Sequence, residues 1–298
     1  MQKTFKFAVT VGRSENVALE KLAQTWAAKF GVKYVERGSS GSLGFLLDQE
    51  RVEALLVATN KGPQVYTASG TFFFHPSMAV LRVQRLKKHE SDHFSAALAL
   101  KPGMRVLDCT MGLASDAVVA SFITGRTGTV CAVEASPLLH FVVSEGLQNY
   151  QAEDVDLNNA MRRIETVYAE ADEYLYTLPA DSFDVVYFDP MFRIPINASS
   201  NMEPLRPISC EKPLTEATVK AALRVAPCVV VKERGQKLLE ALGCTEILGG
   251  RYSRVKYGIR RRYRHETESC SHFRSYCNRQ KPLRDSLSQT SEWRDNFR

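Results

Sequence analysis

Two spacings of apolar residues alternate along this chain, and the places where one gives way to the other mark its elements. Leu19, Leu22, Ala23, Trp26, Ala27 and Phe30 recur at helical spacing, so 15–30 is expected to form an amphipathic helix with Ser14 as N-cap and Gly31 as its stop. On either side FKFAVTV and VKYVERG read as short strands, GSSGSLG at 38–44 as a flexible turn, and QVYTASGTFFFHP at 64–76 as strand material. The aromatic run Phe72, Phe73, Phe74 is read as core. Helical spacing returns through 78–100 (Met78, Leu81, Leu86, then Phe94 and Leu98), interrupted by LKKHESDH. Lys101-Pro102-Gly103 then punctuates the chain and marks a domain junction.

From residue 104 strands and helices alternate. MRVLDC, a helix from about Ser115, TVCAVEA, a helix through LLHFVVSEGL, IETVYAEA, FDVVYFDP, a helix around 214–225 and PCVVVKE follow in turn. Repeated strand-then-helix units with short apolar runs predict a parallel sheet with helices on both faces. TEILGG and YSRVKYGIRRR have no helix between them and are expected to form a hairpin at the sheet's edge. In the second, Val255, Tyr257 and Ile259 share one face, and Arg254, Lys256 and Arg260 the other. The expected organisation is a small α+β domain over 1–95, an α/β domain over 96–264 and a disordered tail over 265–298.

Composition narrows the class. No run approaches the ~18–20 apolar residues that span a bilayer, and the N-terminus lacks the apolar stretch of a signal peptide. Seven cysteines without a Cys-x-x-Cys pair suit reduced thiols in a cytoplasm. His265, Cys270, His272 and Cys277 match no usual zinc spacing, and no metal is expected. The net charge is +6, while 251–264 alone carries seven Arg or Lys and no acid. Basicity is therefore a local strip, suited either to phosphate contact through Arg254, Lys256, Arg260 and Arg262 or to guarding an exposed edge.

Three strand ends carry candidate chemistry. VLDC ends at Asp108 and turns through Gly112 into a helix, the position where open α/β sheets hold ligands. With a single glycine in that turn, the pyrophosphate fingerprint of dinucleotide folds is missing, and a cofactor lacking phosphate fits better. Glu134 ends the next strand, 26 residues after Asp108, where a carboxylate accepts both ribose hydroxyls. Asp172 is positioned to meet an adenine amino group, with Glu170 and Glu173 as close rivals. Asp189-Pro190-Met191-Phe192 supplies two acceptors, the Asp189 carboxylate and the Pro190 carbonyl, for the hydrogens of an exocyclic amine, and Phe192 to stack on its base.

VLDCTMGLASDA, VEASP and VYFDPMF together resemble the class I S-adenosylmethionine-dependent methyltransferases with their Rossmann-like sheet. Within them the chain is most similar to the RsmJ family, which methylates guanine N2 in small-subunit rRNA. The resemblance implies S-adenosylmethionine (SAM) as cofactor, Ser115 and Asp116 in the cofactor turn, and Ala135 beside Glu134 at the ribose. It also implies Ala171 and Asp172 at the adenine, and Asp189 between methyl donor and amine. Gly-Leu-Ala-Ser-Asp stands here for that family's Gly-Leu-Gly-Arg-Asp, so an arginine is missing beside the cofactor, and the loop after DPMF also departs from its pattern. The expected activity is methylation of a base amine, with RNA, as rRNA or the small ribosomal subunit, as partner. The alternatives are DNA or a small amine as substrate, or an RNA-binding or assembly protein without turnover.

Overall fold

Short apolar runs, most of them buried on both faces, build two sheets in this protein. The computed structural model describes residues 5–13, 16–38, 41–190, 212–250 and 253–262. The expected tail, with its histidines and cysteines, lies outside the described residues, as do Ser14 and Phe192.

The first sheet has the order β1-β2-β3-β4, from β1 (Phe7–Val11), β2 (Ala54–Thr59), β3 (Gly62–Thr67) and β4 (Gly70–Phe73). Only β1 and β2 run parallel. Helix α1 (Val17–Phe30) crosses between them and buries Leu19, Ala23, Trp26 and Ala27. Its N-cap is Asn16, whose side chain accepts the Ala18 N–H at 2.9 Å, and Gly31 ends it at φ +64° as expected. VKYVERG is not a strand, because only Tyr34 bridges to Val9. The end of the expected turn starts a helix, α2 (Leu43–Glu50), because the Ser42 hydroxyl accepts the Phe45 N–H. Phe72 and Phe74 are buried and Phe73 is half exposed, so the aromatic run is core only at alternate positions.

After α3 (Ser77–Lys87) and α4 (His93–Leu98) the chain enters the second sheet. Its parallel strands are β5 (Arg105–Asp108), β6 (Thr129–Glu134), β7 (Ile164–Tyr168), β8 (Val185–Phe188) and β9 (Cys228–Glu233). The helices between them are α5 (Ser115–Thr124), α6 (Pro137–Asn149), α7 (Val155–Arg162), α8 (Ala171–Thr177) and α9 (Glu216–Val225). Then α10 (Gln236–Ala241) leads to the hairpin of β10 (Glu246–Leu248) and β11 (Lys256–Arg261). Strand order is β10-β11-β9-β8-β5-β6-β7. This is the Rossmann-like α/β architecture anticipated from the alternation. The hairpin is present, but β11 lies inside it between β10 and β9, antiparallel to both, so β10 and not the basic segment forms the rim.

The winding reverses at β5, which lies between β6 and β8. Such a reversal opens a crevice at the carboxyl ends of the strands, where Asp108 and Asp189 emerge.

The two sheets share one core. Phe141 of α6 meets Trp26 and Phe30 edge-on, at ring-centroid distances of 5.1 and 5.3 Å. On the same helix Gly146 receives Phe74, and a Cβ there would come within 2.1 Å of the Phe74 ring. Met1–Arg262 accordingly falls into one compact unit. Among the described residues no helix is long and apolar enough to cross a membrane.

Candidate active site

The turn after β5 is built around buried polar atoms. Asp108, 2% exposed, accepts the Thr110 N–H at 2.9 Å, and the Thr110 hydroxyl lies 3.3 Å from the same oxygen. That hydroxyl also accepts the Asp189 N–H at 2.6 Å, tying the ends of β5 and β8 together. Gly112 adopts φ +50°, which costs glycine no Cβ clash, and donates its N–H to Glu134 Oε2 at 3.1 Å. Ala114, where the resembled pattern has its second glycine, is also left-handed at φ +58°.

Glu134 joins this turn to the next. Its other oxygen accepts the Ser136 N–H at 2.9 Å, while Ser136 caps α6 and Pro137 fills the first helical position. The EASP string is thus a strand end, a cap and a helix start, and it holds the Glu134 carboxylate at the crevice. Burial pushes its pKa up, against three backbone N–H groups that pull it down.

One cavity of about 460 Å³ gathers these pieces. Asp108, Gly112, Ser115, Asp116, Glu134, Ala135, Ala171, Asp172, Asp189 and Pro190 all line it. The volume suits a nucleoside-sized ligand. Its wall is rich in carboxylates, an acceptor set that fits the ribose hydroxyls, the adenine amine and the positive sulfonium of SAM.

Two of these residues also hold ionic partners within the protein. Asp116 spends its carboxylate on the protein: Oδ1 meets Arg82, and Oδ2 accepts the Tyr187 hydroxyl at 2.8 Å with Lys232 at 3.4 Å. Burial would raise its pKa, but Lys232 and Arg82 hold it below the usual carboxylate range. It therefore organises the wall of the cofactor turn while still lining the cavity. Asp172 pairs with Lys212 at 2.6 Å, and that lysine with Thr218 outweighs burial and lowers its pKa.

Asp189 stands at the carboxyl end of β8. Burial pushes its carboxyl up to about 6, with Lys232 opposing and Asp116 adding to the rise. Asp108, more deeply enclosed, is pushed up to about 7. Buried Cys109 is driven well above the ordinary thiol value by desolvation, so it stays a neutral thiol in the wall.

The basic strip is split by strand direction. Lys256 pairs in register with Glu233 at the carboxyl end of β9, with exposed Arg254 just before it, and this is the crevice end of the sheet. Arg260 lies four residues on, about 13 Å away at ~3.3 Å per strand residue, towards the amino end of β9. There it donates to the Leu242 carbonyl at 2.9 Å and faces Glu216 at 3.4 Å, while Arg262 pairs with Asp181. Of the four residues expected to meet phosphates, Arg254 and Lys256 thus lie at the crevice end, whereas Arg260 and Arg262 hold ion pairs at the opposite end.

Arg82, Thr110, Tyr187, Lys212 and Lys232 belong to the site and escaped the sequence reading. Arg82, forked onto Asp92 through 2.8 and 3.0 Å hydrogen bonds, brings an arginine from α3 to the turn where the sequence lacks one. Only Lys232 had a local signal, as a charge at the end of the apolar run CVVVKE.

A family model for SAM-dependent methyltransferases matches residues 39–238. YpiP of Bacillus subtilis is 36% identical over 215 residues, covering 72% of this chain and 83% of that protein. Ribosomal RNA small subunit methyltransferase J of Dechloromonas aromatica is 30% identical over 153 residues, which span 49% of this chain and 60% of that one. Among solved structures, a SAM-dependent methyltransferase from Neisseria gonorrhoeae has the same fold at TM-score 0.57 and 17% identity, over 86% of this chain and 96% of that one.

Proposed function

The chain belongs to the SAM-dependent methyltransferase family, and from that premise we propose that it methylates an exocyclic amine of a nucleic-acid base, guanine N2 in rRNA. The observation that carries this reading is the place of Asp189 and Pro190 at the end of β8, on the wall of the cavity that Asp108 and Glu134 also line.

An aromatic amine is a weak nucleophile because its lone pair is delocalised into the ring. With Oδ2 held by Lys232, Asp189 offers Oδ1 to one N–H of the amine, and the Pro190 carbonyl accepts the other. Two acceptors so placed favour the geometry in which the nitrogen lone pair is directed at the methyl donor. SAM supplies a methyl group on a cationic sulfonium that departs as a neutral thioether. The chain's own work is to hold, align and exclude water, and it needs no strong base.

RNA as substrate rests on relatives named for the methylation of small-subunit ribosomal RNA and on Arg254 and Lys256 at the crevice end of β11. A base in folded RNA must be unstacked to reach Asp189, and cations beside the mouth suit the flanking phosphates. Action on rRNA implies a cytoplasmic enzyme, with the small ribosomal subunit or its RNA as partner.

The test incubates the protein with methyl-labelled SAM and, separately, total RNA, ribosomal subunits and DNA from cells lacking the gene, then resolves the nucleosides. Label in N2-methylguanosine from RNA is the expected result. Label in a DNA base, or in no nucleic acid while SAM binds, would redirect the acceptor to DNA or to a small amine.

A further inference from the structure

The active-site cavity contains one lysine set between two carboxylates. Lys232, near the end of β9, places Nζ 2.6 Å from Asp189 Oδ2 and 3.4 Å from Asp116 Oδ2, with its side chain 21% exposed. The two carboxylates are not equivalent. Asp116 is also met by Arg82 and by the Tyr187 hydroxyl. On Asp189, Lys232 is the cation found among the described residues.

Among the described residues, the ionisable groups that act on this cluster besides Arg82 are acids and tyrosines. Asp108 comes from β5, Asp116 from α5, Tyr187 from β8, Glu233 from β9 and Tyr257 from β11. Arg82 is itself forked onto Asp92, and its approach to Asp116 leaves Lys232 turned towards Asp189.

We infer that Lys232 is a positioning residue for methyl transfer: its ammonium, steadied by Asp116, keeps the Asp189 carboxylate charged and turned so that Oδ1 meets the amine. The inference rests on the reading of Asp189 as the amine's acceptor. In the step itself the amine nitrogen bonds the methyl carbon, the C–S electron pair stays on sulfur, and the proton shed by nitrogen passes to Asp189 Oδ1. A carboxyl already protonated would present a donor where an acceptor is needed. Without the lysine, Asp189 would stand between Asp116 and Asp108 with no adjacent positive charge among the described residues, in a partly buried site.

The experiment compares wild type, Lys232→Met and Lys232→Arg in three readouts: SAM affinity by calorimetry, the pH profile of kcat/KM, and the titration of Asp189 followed by carboxyl ¹³C NMR. Asp189→Asn assigns the resonance. In Lys232→Met the Asp189 midpoint should rise by about 1–3 pH units, and the acid limb of kcat/KM should move by the same amount. SAM affinity should change little, and Lys232→Arg should restore most of both shifts. An Asp189 midpoint that does not move in Lys232→Met would overturn the inference. So would an activity loss with an unmoved acid limb, which is the signature of a purely structural lysine. Failure of the base-amine reading shows separately, as a wild-type enzyme that labels no base, and the NMR midpoint judges the lysine's hold on Asp189 in either case.

Discussion

The Thr110 hydroxyl accepts the Asp189 backbone N–H at 2.6 Å and meets the Asp108 carboxylate at 3.3 Å. A single hydroxyl thus joins the turn after β5 to the strand end that carries Asp189. Methyl transfer depends on the distance between methyl donor and nitrogen, and this bond fixes the spacing of the two segments proposed to hold them. Thr110→Val keeps the shape but leaves the Asp189 N–H without its partner. Such a loss costs about 1–3 kcal/mol, and we expect lowered stability in chemical denaturation together with a fall in kcat. Thr110→Ser should retain both, and a Val variant with wild-type kcat would show that the spacing is set elsewhere.

Asp189→Ala separates binding from chemistry. Removing one preorganised polar group that acts on the transition state typically costs ~10²–10³ in rate, and transfer should fall by at least that much. SAM affinity should hold, because Glu134, Gly112 and the turn remain in place. Calorimetry and single-turnover kinetics check the split, and equal loss of both would remove Asp189 from the acceptor role.

Asp108 sets a pH dependence of stability. Its carboxyl titrates near 7 in the folded chain and near 3.8 when unfolded. Between those values the folded state holds the extra proton, so the contribution of Asp108 to stability is lost as pH rises from about 4 to about 7. Asp189 acts in the same direction up to about 6, whereas the lowered His140 acts in the opposite one. The difference between wild type and Asp108→Asn isolates the group. Thermal unfolding of the ligand-free protein from pH 5 to 8 should fall more steeply in wild type, and parallel curves would contradict the assignment.

Gly146→Ala probes the seam between the two sheets. A Cβ there would lie 2.1 Å from the Phe74 ring, and relief requires backbone movement in α6 or β4. Overpacking of this kind costs about 1–3 kcal/mol. The denaturation midpoint should drop while kcat per folded molecule at low temperature changes little.

Much of the site was legible because its pieces are local. Asp108, Glu134 and Asp189 each end an apolar run, and the turns after the first two carry their own conformational marks: Gly112 at φ +50°, then Ser136 and Pro137 opening α6. The ionic frame was not legible. Arg82 reaches Asp116 across 34 residues and Lys232 reaches it across 116, and pairs at such separation leave no periodic trace. The basic strip shows a subtler limit. Alternation put Tyr257 and Ile259 on one face, and both are buried, but it gives the face of a strand and not its direction. Because β11 runs antiparallel to β9, the later arginines point away from the crevice end. Helix α2 was hidden for a different reason: Ser42 reads as one more small turn residue until its hydroxyl is seen capping Phe45.

Helix α6 behaves as a shared beam. Its front end, through Ser136, steadies the Glu134 carboxylate proposed to meet the ribose, and its flank, through Phe141 and Gly146, is clad by Trp26, Phe30 and Phe74. Trimming the chain back to its catalytic sheet would therefore bare an aromatic flank on the very helix that supports the cofactor. Heating should accordingly melt both sheets in one calorimetric transition, and SAM should raise the melting temperature of the N-terminal layer although it touches none of that layer's strands.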